Sequence, residues 1–114
     1  MYLTERRRRQ LRGIYDHYGK DQQYSKLMEE LGELISAMAT GTEEEVISEI
    51  ADVEIMLEQI KDGLGIRAKV CGEIDYKLKR QLVRMGVYDA FDEPESYDCA
   101  SMPPKEGGAT CTQS

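Results

Sequence analysis

The sequence predicts an all-α protein, a helical bundle built on an antiparallel helix hairpin and followed by a disordered C-terminal tail. Three observations predict it. Apolar residues recur at steps of three and four in successive segments of the 114-residue chain, the pattern of amphipathic helices. Capping residues and glycines separate those segments. The composition agrees, with 40% hydrophobic and 32% charged residues, only three prolines and a single phenylalanine.

Thr4 is placed to cap a first helix running to about Tyr18, with Leu11, Ile14, Tyr15 and Tyr18 at helical spacing and Gly19 closing it. Asp21 is the next capping candidate. From there to about Thr40, the residues Tyr24, Leu27, Met28, Leu31, Leu34, Ile35 and Met38 form one face of an amphipathic helix of about five turns. Gly41 ends it, and Thr42-Glu43-Glu44-Glu45 reads as a capping box, in which Glu45 reaches back to the threonine whose hydroxyl it faces. The third helix carries Val46, Ile50, Val53, Leu57 and Ile60 on one side and stops near Gly63 and Gly65. Two helices joined by so short a turn form an antiparallel hairpin. A fourth helix, from about Arg67 to Met85, has Val70, Ile74, Leu78, Leu82 and Met85 as its apolar side. After Gly86 the period dissolves among prolines, glycines and small polar residues, which predicts a domain over 1–86 and a disordered tail over 87–114, with Tyr88 and Phe91 as its only docking candidates.

A domain of this size hides a modest share of its surface when folded alone, so self-association is expected. No apolar run approaches the ~20 residues that cross a bilayer, and the amino terminus is basic where a signal peptide needs an apolar core. The expectation is a cytoplasmic protein without a membrane partner. Cys71, Cys99 and Cys111 show no paired spacing and read as reduced thiols, which argues against zinc held through sulfur. A formal net charge of −7 argues against stable nucleic-acid binding. The local run Arg6, Arg7, Arg8, Arg9 and Arg12 could form a DNA-contacting arm, but reads more simply as the solvated face of a helix. His17, the sole histidine, is near a helix end and belongs to no nucleophilic triad.

The acids are more informative. Projected at ~100° per residue, the second helix sets Glu30 on the margin of its apolar stripe and Glu33 farther round the same flank. The third helix sets Glu49 well inside its apolar side, with Asp52 on the flank. Each pair has the i, i+3 spacing that makes side chains neighbours, and in an antiparallel hairpin both pairs fall a similar distance from the turn. Four carboxylates so placed repel, by about 4 kcal/mol for a pair ~4 Å apart at an effective dielectric of 20. A divalent cation resolves the conflict, and hard oxygen ligands favour Mg2+, with Mn2+ as substitute. Helices are also rich in glutamate for simpler reasons: Glu29, Glu43, Glu44, Glu54 and Glu58 read mainly as solubility and end-of-helix electrostatics. Glu49 differs, because an acid that deep in an apolar side needs a partner, and no lysine or arginine lies within a turn of it.

The succession E-E-L-G-E, fifteen residues, then E-I-A-D resembles the EExxE to ExxD signature of the MazG-like, all-α nucleoside triphosphate pyrophosphohydrolases. The likeness extends from about Gln23 to Arg84 and includes KLMEELGEL and KLKRQLVRM. It implies an enzyme that uses magnesium to cleave a nucleoside triphosphate, or its deoxy form, between the α and β phosphates, giving the monophosphate and pyrophosphate. It further implies that Glu30, Glu33, Glu49 and Asp52 are the metal ligands and catalytic acids, and that the chain forms a homodimer or homotetramer. Lys77, Arg80 and Arg84 form a basic ridge on the fourth helix, of which Lys77 and Arg80 are expected to hold phosphate oxygens. Lys26, one turn before Glu30, could touch phosphate or pair with the acids. Gln81 stands where the family commonly has an asparagine, a departure that bears on the phosphate and sugar contacts. Tyr15, Tyr18 and Tyr24 could stack on a base, but suit the core better. The alternative is a non-catalytic helical oligomeric adaptor, or a degenerate relative that binds nucleotides without turnover; the presence of all four acids argues against it.

Overall fold

Local signals fix the helix ends. In the computed structural model, which describes residues 1–87, the Thr4 hydroxyl accepts a hydrogen bond from the Arg7 amide at 3.1 Å and opens α1 (Glu5–Tyr18). Gly19, at φ 90°, ends α1 and leads directly into α2 (Lys20–Thr40). An L side chain is strained there, which is why glycine makes this junction. The second helix therefore starts one residue before Asp21, which does not act as its cap. The capping box forms as read: Thr42 Oγ1 accepts from the Glu45 amide at 3.2 Å, and the Thr42 amide donates to Glu45 Oε1 at 3.0 Å, opening α3 (Glu43–Gly63). The last helix, α4 (Arg67–Met85), ends at Gly86 in the left-handed region. The described residues are 86% helical and hold no strand.

The chain divides into two units, one of Met1 with Leu3–Gly65 and one of Tyr2 with the residues from Ile66 onward. In the first, α1, α2 and α3 pack together, with the α2–α3 hairpin the most extensive contact. Gly63 lets α1 approach α3 closely, since the Tyr15 ring fills the space its Cβ would take. The second unit contains α4, whose Cys71 is buried. Cys99, Cys111, Tyr88, Phe91 and the tail from residue 88 lie outside the described residues.

The buried faces differ from the apolar stripes. On α2 the buried line is Gln23, Glu30 and Ala37, flanked by half-buried Leu27 and Leu34. The expected stripe is largely exposed instead, with Met28 at 67% and Ile35 and Met38 at 68%. On α3 the core is Val53 and Met56 together with Glu58 and Gln59, while Ile50 and Leu57 are exposed. Ile74, Leu78 and Met85 of α4 are exposed as well, as are Tyr18 and Tyr24. The hairpin seam thus runs one residue round from the most apolar line and carries polar side chains. Gln59, only 1% exposed, accepts from Gln23 Nε2 at 2.8 Å. Glu58, read as a surface acid, is buried with Lys61 Nζ 3.0 Å from its carboxylate.

Candidate functional site

The two acidic pairs meet where the hairpin seam brings α2 against α3. Glu30 lies on the buried line of α2, and Glu49 and Asp52 come from the facing side of α3. One carboxylate oxygen from each of these three lies within 4.8 Å of the others. Glu30 is 5% exposed, whereas Glu49 and Asp52 are half-buried. Glu33, one turn on from Glu30, is exposed and stands at the rim of the group. Beside it opens a recess of about 420 Å³ that runs toward the turn, lined by Glu29, Glu33, Ser36, Thr40 and Glu49 among others. A larger groove of about 960 Å³ between α1 and α3, with Leu11, Ile14 and His17 in its wall, holds none of the four acids.

Electrostatics in the cluster follow from like charges brought out of water. Oε1 of Glu30 and Oε1 of Glu49 are buried and meet no hydrogen-bond donor. The Glu33 carboxyl is held above the ordinary carboxylate value, first by its contact with the Glu30 carboxyl, which favours a proton between them, then by the Glu30 charge and burial. The Glu49 carboxyl is also pushed up, by loss of solvent and then by the charges of Glu30 and Asp52. On the outer edge, Lys26 Nζ lies 3.1 Å from Glu30 Oε2 and 3.8 Å from Glu29 Oε1. These carboxylates raise the ammonium's proton affinity, the Glu30 hydrogen bond most. Of the two roles open to Lys26, pairing with the acids is the one the structure displays.

An all-oxygen donor set with two buried oxygens lacking donors fits a hard divalent cation such as Mg2+ or Mn2+. Glu30, Glu49 and Asp52 could hold it together, and Glu33 could complete the set from the rim. Lys77 and Arg80 are exposed on α4 in the other unit, where Lys77 Nζ lies 4.0 Å from Glu73 and the Arg80 guanidinium packs 5.6 Å from the centre of the Tyr76 ring. The amide pair Gln23–Gln59, which flanks the acids on the side away from the turn, was not among the sequence expectations. Its one signal is the seven-residue spacing of Gln23, Glu30 and Ala37 along a single helix line.

Comparison with known proteins adds a family. No curated protein sequence and no solved structure matches the chain. The profile of the family described as phosphoribosyl-ATP pyrophosphohydrolase matches residues 2–71, more than half of the chain and a span that includes all four acids. The chain belongs to the phosphoribosyl-ATP pyrophosphohydrolase family, part of the MazG-like all-α NTP pyrophosphatase superfamily, and the activity this implies is that of a pyrophosphohydrolase acting on a nucleotide.

Proposed function

We propose that the protein hydrolyses a nucleoside 5′-triphosphate group between its α and β phosphates, with Mg2+ held by Glu30, Glu33, Glu49 and Asp52. The observation that carries this reading is the convergence of Glu30, Glu49 and Asp52 oxygens within 4.8 Å, two of the cluster's buried oxygens meeting no donor. When bound, the ion supplies Lewis acidity toward phosphate oxygens and toward water. The chain's own part is to hold the acids on two packed helices, so that their geometry is set before substrate arrives. The recess beside Glu33 and Glu49 gives the polyphosphate access to the cluster. Lys26 supplies positive charge for phosphate oxygens that the ion does not hold.

The family description favours one member of this substrate class, phosphoribosyl-ATP, in which the same α–β bond would break. Cleavage of free nucleoside triphosphates and of phosphoribosyl-ATP uses the same site, so one panel separates them. Purified protein is incubated with Mg2+ and the four ribonucleoside triphosphates, their deoxy forms and phosphoribosyl-ATP, and pyrophosphate is measured. Release from one or more substrates, lost in Glu33→Ala and Asp52→Ala, is expected. No release from any of them, with both variants behaving like the parent, would leave the non-catalytic adaptor as the better reading.

A homo-oligomer completes the proposal. Tyr24, Met28, Leu31, Ile35 and Met38 are all exposed, and their alternating steps of four and three match the seam that pairs helices between chains. A second copy of the chain is the occupant proposed for this face.

A further inference from the structure

Glu30 is the most deeply buried acid of the cluster, and one of its oxygens is already paired with a cation supplied by the chain. Lys26 reaches it from one turn earlier on α2, with Nζ 3.1 Å from Oε2, while Oε1 on the inner side meets no donor. The ammonium therefore neutralises the outer edge of the cluster and leaves its interior unsatisfied. Its stem is 48% exposed, and a second carboxylate, Glu29, stands 3.8 Å away on the solvent side at 60% exposure. One lysine thus straddles an inner and an outer acid, and a flexible four-carbon stem can move between them without any backbone change.

Resting on the metal reading above, we infer that Lys26 is the resident counter-ion of the acid cluster, displaced from Glu30 by an arriving divalent cation and freed to meet substrate phosphate. Two cations on one carboxylate repel, and the doubly charged one is favoured where several oxygens converge. Glu29 keeps the released ammonium at the edge of the site, which gives the first acid of the E-E pair a role. The opposing view, that Lys26 orients Glu30 as a ligand, makes it a helper of metal binding. The two views differ in sign.

Mn2+ titrations of the full chain, with free ion followed by electron paramagnetic resonance and without nucleotide, decide between them. Lys26→Met is expected to bind Mn2+ about two- to fivefold more tightly than the parent, the range set by the strength of a partly exposed ion pair. Lys26→Arg, which retains the charge, is expected to stay near the parent. Amine-selective labelling of the parent, read by mass spectrometry at Lys26, is expected to rise several-fold on adding Mg2+, a change that a fixed structural ion pair would not give. Equal or weaker Mn2+ binding by Lys26→Met overturns this inference and leaves the metal site standing. A parent that binds no Mn2+ overturns both.

Discussion

Glu49 is the residue at which the physics of the site is most exposed to test. Its raised proton affinity comes first from desolvation and then from the charges of Glu30 and Asp52, whereas that of Glu33 comes first from its contact with the Glu30 carboxyl. A group whose folded-state pKa lies above its unfolded value contributes stability that is fully present below the unfolded value and lost as pH rises through the folded one. Without added metal, these two acids should therefore destabilise the fold progressively as pH rises from the ordinary value of 4.5 through their raised values. Thermal melts by circular dichroism across that window are expected to show a smaller loss in Glu49→Gln than in the parent. Saturating Mg2+ should reverse the trend in the parent, because the ion binds the deprotonated form. Glu49→Gln is also expected to melt higher than the parent without metal near neutral pH, while losing at least about a hundredfold in activity, the scale of losses seen when a metal site is disrupted. A lower melting point would mean that Glu49 is not strained by its neighbours.

At the scale of elements, the α2–α3 hairpin is held on either side of the acids. The capping box fixes the turn end, and the Gln23–Gln59 hydrogen bond closes the other. Buried amides of this kind specify how two helices meet, because a slip would leave both unpaired. Gln59→Leu is expected to cost about 1–3 kcal/mol in urea unfolding by stranding the Gln23 amide, and Gln23→Leu/Gln59→Leu to recover most of that loss. Additive losses in the double variant would show that the two side chains do not act as a pair. The capping box was legible in the sequence because its partners are three residues apart, whereas the amide pair joins residues 36 apart and only folding brings them together. The same distinction explains Glu58. Its glutamate reads as solvated until tertiary packing buries it beside Lys61.

For the whole molecule, the open question set by the fold is what covers the exposed apolar line of α2. A second copy predicts that Ile35→Asp with Met38→Asp lowers the molecular mass measured by sedimentation equilibrium to that of a single chain, with helical content retained. An unchanged mass would exclude this face as the contact. No described helix is long and apolar enough to cross a membrane, so the line is not a spanning segment. The all-α class, the bounds of the four helices to within a residue or two and the two acidic pairs are legible in the chain, because helix caps and i, i+3 spacings are local and the hairpin turn is short. Which faces are buried, that Glu30, Glu49 and Asp52 converge while Glu33 keeps to the rim, and that Lys26 pairs with Glu30 emerge on folding alone. Those outcomes depend on the rotation of one helix about its axis against another, which is set by contacts between residues far apart in the chain rather than by hydrophobic pattern alone.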